Sequence, residues 1–66
     1  MYGKELKQHR ETRNLSQIEL AKATGISQQA ISLWEKDLRE PSIQNCVLLA
    51  DFYGVSIDEL IGREFF

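Results

Sequence analysis

One stretch of the chain, residues 16–35, restricts the fold strongly because single residues mark where its helices begin and end. Ser16 is followed three residues later by Glu19, the capping-box spacing in which each side chain satisfies a backbone N–H at a helix start. Gly25 can supply the left-handed backbone that ends a helix, and Ser27 offers a second N-cap. The stretch therefore predicts two short helices joined by a tight turn.

The apolar residues of both segments recur at helical spacing. The first helix is expected from Gln17 to about Thr24. Its apolar face comprises Ile18, Leu20, Ala21 and Ala23. In the second helix Ala30, Ile31 and Trp34 fall where one stripe of a helix is buried. The opposite face carries Gln28, Gln29, Ser32 and Leu33.

That outer face is the main functional signal. Gln28 and Gln29 are adjacent neutral amides at a helix start, and a glutamine amide suits the N6/N7 edge of adenine. The alternative is a solvent-exposed helix face with no binding role, although such a face more often carries Lys and Glu. Two apolar stripes, a short Gly-containing turn and projecting amides together indicate a helix-turn-helix.

The chain resembles the Cro/lambda-repressor-like family of bacterial and phage DNA-binding domains, often called the Xre family. The matching residues run through nearly the whole chain: Leu6, Arg10, Leu15-Ser16-Gln17, Leu20-Ala21, Gly25-Ile26-Ser27, Ile31-Ser32, Glu35, Pro41-Ser42, Leu49-Ala50, Gly54-Val55-Ser56 and Asp58-Glu59-Leu60. The resemblance implies an all-α fold, a compact bundle of five short helices. Residues 1–66 would form a single domain, with the helix-turn-helix at about 16–35.

The remaining helices can be placed from the residues themselves. A first helix is expected over 2–13, with Leu6 in the core and Asn14 at its C-terminal end. A fourth should begin after Ser42 and run to about Tyr53, and a fifth, capped by Ser56, should follow. That fifth helix is expected to continue through Ile61. The apolar stripe of the fourth comprises Ile43, Cys46, Val47, Leu49, Ala50 and Tyr53.

Several single residues invite specific interpretations. Arg10 lies one turn after Leu6 and should point inward, where a guanidinium needs a carboxylate. In the family a similar arginine pairs with the glutamate that ends helix three, which implies an ion pair with Glu35. Two separately solvated surface charges are the alternative. His9 lacks partners at metal-ligand spacing and is expected to be solvated, and Cys46 is expected to be a buried thiol. The family often has Gly or Asn at the position of Asp37. Asp adopts a left-handed C-cap less readily than either, so helix three is expected to end slightly differently here than in the family.

Length and charge narrow the class of protein. The 66 residues suffice for one small core, and a single Cys excludes an internal disulfide. No signal-peptide pattern and no apolar run of membrane-spanning length is present, so the cytoplasm is expected and a membrane role is not. The net charge of −2 argues against nucleic acid. However, residues 1–39 hold seven basic and five acidic side chains, whereas residues 40–66 hold one basic and five acidic side chains. The half that contains the helix-turn-helix is therefore basic, and this distribution can orient the domain on DNA.

The resemblance implies a sequence-specific, double-stranded-DNA-binding transcriptional regulator, expected to be a repressor. It would bind a pseudo-palindromic operator as a homodimer, with helix three in the major groove. Base contacts are expected from Gln28, Gln29, Ser32 and Leu33, and backbone contacts from Gln17, Ser27, Lys36, Arg39 and Asn14. A charged surface loop is the alternative for Lys36 and Arg39.

The dimer contact is expected from Ile57, Leu60, Ile61, Phe65 and Phe66. Two terminal aromatics in water would form an apolar patch, so they should pack somewhere. Packing within the domain beside Trp34 or Tyr2, and a disordered tail, are the alternatives for Phe65 and Phe66.

Two other functional classes can be compared with this one. A protein-interaction module, such as an antitoxin or adaptor, would use the acidic half to bind a partner, and its binding would lack the steep salt dependence of a DNA complex. An enzyme is disfavoured because the sequence has no glycine-rich phosphate loop, metal-ligand cluster or catalytic Ser/His/Asp set. No cofactor, metal or small-molecule substrate is therefore expected.

Overall fold

Residues 2–63 are described by a computed structural model and are arranged as five α-helices. In chain order these are α1 (Gly3–Thr12), α2 (Gln17–Thr24), α3 (Gln28–Glu35), α4 (Ile43–Tyr53) and α5 (Ile57–Ile61). No strand occurs between residues 2 and 63. The predicted all-α fold of five short helices is confirmed, with α1 one residue shorter at each end than the sequence indicated.

Serine hydroxyls begin four of the helices, as the sequence predicts. Each accepts a hydrogen bond from the backbone N–H three residues later: Ser16, Ser27, Ser42 and Ser56. Glu19 completes a capping box at α2, and Glu59 completes another at α5. Gly25 ends α2 with φ +79°, a left-handed conformation that glycine adopts without a Cβ clash.

The core lies where the helices meet. It comprises Leu6, Leu20, Ile26, Ile31, Trp34, Cys46, Leu49, Ala50 and Leu60. Helix α3 packs on α1 and α2, while α5 packs on α1 and α4. Each fully buried large aliphatic side chain contributes about 1.5–3 kcal/mol. No helix within residues 2–63 has the length and apolar character needed to cross a membrane.

Two of the predicted apolar faces were wrong in part. On α2 only Leu20 is buried, whereas Ile18 is 54% exposed and Ala23 is exposed. Ile18 and Leu20 are two residues apart, and such positions do not share a helix face. On α4 Ile43 is 81% exposed and Val47 is 41% exposed, because both lie beside the buried side of that helix.

The start of α1 packs against the end of α3. Asp37 adopts the left-handed conformation, with φ +58°, just beyond the C-cap of α3, which is the conformation that Gly or Asn most often supplies at a helix end. Its carboxylate accepts a hydrogen bond from Gly3 N at 2.9 Å. A Cβ on Gly3 would collide with the carbonyl oxygen of Trp34 and lie 2.8 Å from that of Glu35. The close approach therefore requires glycine at this position.

His9 is packed rather than solvated, so that prediction was wrong. Its Nε2 donates to the Glu59 carbonyl oxygen at 2.9 Å, and its ring stacks on Tyr53 with centroids 5.8 Å apart. The Arg13 guanidinium lies 4.3 Å from the centre of the same tyrosine ring. Cys46 is buried as expected, and burial raises the pKa of its thiol.

Candidate nucleic-acid interface

The turn between α2 and α3 is fixed at both ends. Thr24 Oγ1 donates to the Leu20 carbonyl oxygen at 2.8 Å and accepts from Ile26 N at 3.3 Å. Ile26 is only 8% exposed, so the centre of the turn is anchored in the core. Ser27 Oγ then accepts from Ala30 N at 3.1 Å and begins α3. The direction of α3 relative to α2 is thus determined by buried contacts.

The inner and outer sides of α3 are clearly different. Ile31 and Trp34 are 2% and 5% exposed and hold the helix to the core. Gln28 and Gln29 are exposed, and Ser32 and Leu33 are half-buried one turn later. The structure therefore places the four predicted base-contacting residues together on the outer part of α3.

A buried ion pair lies behind this face. Arg10 Nε donates to Glu35 Oε2 at 2.8 Å, and its Nη2 donates to Oε1 at 2.9 Å. The two side chains are 10% and 5% exposed. The hydrogen bonds to Glu35 raise the pKa of Arg10 above its ordinary value, although burial opposes the shift. This is the ion pair that the sequence and the resemblance predict, and it fastens the last residue of α3 to α1.

Hydrogen bonds continue from the ion pair to the outer face. Gln17 Nε2 donates to Glu35 Oε1 at 3.0 Å, and Gln28 Nε2 donates to Gln17 Oε1 at 3.4 Å. Gln28 is consequently oriented by a chain of contacts that ends at Arg10, whose Nη1 also donates to the Leu15 carbonyl oxygen. Gln17, which is predicted to contact the DNA backbone, is therefore hydrogen-bonded to Gln28, which is predicted to contact a base.

An open groove lies on the other side of the α3 face. It has a volume of about 340 Å³ and is lined by Ser27, Gln29, Ala30, Leu33 and Arg39. Arg39 comes from the loop between α3 and α4, so this loop forms one wall of the groove. Arg39 was predicted to contact the DNA backbone, and no pattern in the sequence indicates that it shares a groove with Gln29.

The other predicted interface residues are less closely grouped. Lys36 is exposed and forms the C-cap of α3. Asn14 lies in the turn between α1 and α2 with φ +58°, outside the hydrogen-bonded chain described above. Within residues 2–63, no cluster of three or more His, Cys, Asp or Glu side chains could hold a metal ion.

The predicted dimer contact needs a correction. Leu60 is fully buried in the core of one chain and has no surface to offer a partner. Its prediction as a dimer residue was wrong because it fills the space between α5 and the other helices. Ile57 is 38% exposed and Ile61 is half-buried. Phe65 and Phe66 lie outside the described residues.

A family model described as helix-turn-helix matches residues 6–60. The HTH-type transcriptional activator BcrR of Enterococcus faecalis is 35% identical over 63 residues, which are 96% of this chain and 31% of that protein. An HTH-type transcriptional regulator of Methanocaldococcus jannaschii, MJ0272, is 39% identical over 59 residues, 89% of each chain. No solved structure matches the chain with comparable significance.

Two further relatives concern the direction of regulation and the choice of partner. The cryptic phage CTXphi transcriptional repressor RstR of Vibrio cholerae is 33% identical, and the chain spans 56% of its length. The antitoxin PezA of Streptococcus pneumoniae is 30% identical, and the chain spans 40% of its length. Apart from MJ0272, the chain therefore spans between about a third and just over half of these relatives.

Proposed function

Because the chain belongs to the Xre/Cro-C1-type helix-turn-helix family of transcriptional regulators, we propose that it binds double-stranded DNA sequence-specifically, with α3 in the major groove. It acts as a homodimer on a pseudo-palindromic operator and represses transcription in the cytoplasm. BcrR, MJ0272 and RstR are named as transcriptional regulators, and PezA is named as an antitoxin.

The observation that carries the proposal is the outer face of α3. Gln28 and Gln29 are exposed at the start of the helix, which is where a recognition helix contacts base edges. Gln28 is oriented by Gln17, so less side-chain freedom is lost when its amide binds a base. Ser32 and Leu33 extend the same face by one turn.

Positive charge near α3 supports the backbone contacts. Lys36 and Arg39 are exposed on either side of the loop that follows α3, and cations beside a recognition helix bind phosphates without reading sequence. The acidic side chains of residues 40–63 outnumber the basic ones by four to one. This asymmetry orients the basic half of the domain toward DNA.

A dimer increases affinity for two half-sites without new contacts to either one. Its recognition helices would enter major grooves roughly 34 Å apart.

Ile57 and Ile61 remain the candidate dimer-contact residues on α5. Ile57→Asp is expected to shift sedimentation toward the monomer and weaken operator binding. Val47→Asp on α4, where the exposed fraction is 41% against 38% for Ile57, is the control. A dimer unchanged by Ile57→Asp contradicts this contact.

Repression is the direction that a domain bound over a promoter produces most simply, and RstR is named a repressor. BcrR is named an activator, so the direction needs its own test. A reporter driven by the bound promoter is expected to rise when the gene for this chain is deleted. A fall would make the chain an activator.

A protein-interaction module is the second candidate, supported by the likeness to an antitoxin. Four large apolar side chains are at least 40% exposed on α4: Ile43, Val47, Leu48 and Phe52. Such a surface is compatible with a protein partner. DNA affinity that falls steeply with salt distinguishes the first function from this one.

The test is selection of bound duplexes from random DNA, followed by mobility shift against the chain's own upstream promoter. Specific binding is expected for the wild type and for Gln44→Ala, a control glutamine exposed on α4. It should be lost in Gln28→Ala/Gln29→Ala with circular dichroism unchanged. If the wild type prefers no duplex at low salt, the proposed function is wrong.

A further inference from the structure

The hydroxyl oxygen of Tyr53 is the one side-chain polar atom within residues 2–63 that is buried without a hydrogen-bond partner. Such a group costs stability, because folding removes it from water and gives it no new partner. Native proteins satisfy buried polar groups with protein atoms or with ordered water. We propose that one buried water molecule binds between the Tyr53 hydroxyl and the Glu35 carboxylate. This site lies in the interior and does not depend on DNA binding.

Tyr53 and Glu35 line the same small cavity, whose other walls are apolar. Those walls are formed by Leu6, Leu20, Ile31, Trp34 and Leu49. The cavity volume is about 10 Å³, at the lower end of the roughly 10–15 Å³ that one water needs. A cavity with apolar walls alone stays dry, but two polar partners are enough to hold a water. The size and the two polar walls therefore fit a single water molecule.

Glu35 has room for one more hydrogen-bond donor. Its Oε1 accepts from Arg10 Nη2 at 2.9 Å and from Gln17 Nε2 at 3.0 Å. Among residues 2–63, its Oε2 accepts from Arg10 Nε alone, at 2.8 Å. Because each carboxylate oxygen can accept about two hydrogen bonds, Oε2 can accept one from the water.

The ring of Tyr53 is held from outside the cavity, so its hydroxyl has a defined position. His9 stacks on the ring with centroids 5.8 Å apart, and the Arg13 guanidinium lies 4.3 Å from the ring centre. Burial raises the pKa of Tyr53, although Arg13 and Arg10 oppose the shift, so the hydroxyl keeps its proton at neutral pH. It donates a hydrogen bond to the water, and the water donates one to Glu35 Oε2.

The water would connect two helices that the core holds mainly through other helices. Helix α3 packs on α1 and α2, whereas α4 packs on α2 and α5. Tyr53 is the last residue of α4, and Glu35 is the last residue of α3. The bridge therefore joins the end of α4 to the ion pair that fastens the end of α3.

The first experiment is a crystal structure of the unmodified chain at a resolution that shows ordered water. One water is expected within hydrogen-bond distance of both Tyr53 Oη and Glu35 Oε2. A direct hydrogen bond between these two oxygens, or a cavity without density, would overturn the proposal.

The second experiment compares Tyr53→Phe with Tyr2→Phe, in which the control tyrosine also packs against the core. Relaxation dispersion of the water ¹⁷O signal measures long-lived buried water, and it should decrease in Tyr53→Phe but not in Tyr2→Phe. Urea denaturation should give an unfolding equilibrium constant about fivefold larger for Tyr53→Phe, because a satisfied hydrogen bond is lost. Removal of an unsatisfied hydroxyl would have the opposite sign. Unchanged buried water, or a Tyr53→Phe variant at least as stable as the wild type, contradicts the proposal.

Discussion

At the scale of single residues, the ion pair between Arg10 and Glu35 connects stability to recognition. Both side chains are almost fully buried, and Glu35 also accepts the hydrogen bond that aligns Gln17. Removing one partner of a buried pair leaves the other charge without compensation, which is more costly than replacing both with apolar residues. The pair should therefore act as a unit.

Arg10→Met is expected to lower the free energy of unfolding by about 3–5 kcal/mol, because Glu35 loses its counter-ion in the core. The double variant Arg10→Met/Glu35→Leu should lose less than Arg10→Met alone. Urea denaturation of both variants measures this. Equal losses, or a cost below about 1 kcal/mol for Arg10→Met, would mean that the pair behaves like a surface ion pair.

Gly3 gives a prediction whose sign distinguishes packing from helix propensity. Propensity alone predicts that Gly3→Ala stabilises α1 by up to about 1 kcal/mol. The contacts with the carbonyl oxygens of Trp34 and Glu35 predict instead a loss of about 1–3 kcal/mol, typical of overpacking. The melting temperature should fall accordingly.

Gly25→Ala is the matched control for Gly3→Ala. Gly25 has φ +79° but no neighbouring atom within 4 Å of a built Cβ, so only backbone strain of about 1–2 kcal/mol is expected. A Gly3→Ala variant at least as stable as the wild type would refute the close approach of α1 to α3.

At the scale of elements, the capping box of α2 fixes the start of the helix that supports α3. Ser16 Oγ accepts from Glu19 N at 3.0 Å, and Glu19 Oε1 accepts from Ser16 N at 2.8 Å. Ser16→Ala is expected to cost about 1 kcal/mol, measured by chemical denaturation. No measurable loss would show that the cap contributes nothing to stability.

The capping box of α2 also makes the free energy of unfolding depend on pH. Hydrogen bonds with Ser16 lower the pKa of Glu19, so the folded state favours the carboxylate. Its contribution is present above the unfolded-state pKa and disappears as pH falls through the lower folded-state value. The stability advantage of the wild type over Glu19→Gln should therefore shrink on acidification from neutral pH. An advantage that grows in acid would contradict this sign.

Helix boundaries were predictable because local chemistry determines them. The serines at 16, 27, 42 and 56 and the glycines at 25 and 54 mark starts and ends without tertiary information. The exposed apolar residues of α4 were not predictable in the same way. Periodicity cannot assign Ile43 and Val47, which border the buried face, to core or solvent until neighbouring helices are placed.

At the scale of the whole molecule, the candidate site combines predictable and unpredictable parts. Residue type and spacing indicated the glutamines of α3 and an inward-pointing Arg10, and the family resemblance implied Glu35 as the partner of Arg10. The groove wall formed by Arg39 depends on how the loop after α3 packs, and the burial of Leu60 depends on how α5 meets α1 and α4. Contacts between elements distant in sequence are the part that a single sequence specifies least directly.

The proposed surface uses base contacts for sequence preference and phosphate contacts for general affinity. The most direct test measures affinity for the selected operator and for random duplex at several salt concentrations, for three proteins. The wild type is expected to prefer the operator strongly, and Gln28→Ala/Gln29→Ala should lose that preference while keeping its salt dependence. Lys36→Ala should keep the preference, weaken binding to both duplexes and reduce the slope of the salt dependence by about 1. A glutamine variant that retains the wild-type ratio of operator to random affinity would contradict base reading by α3.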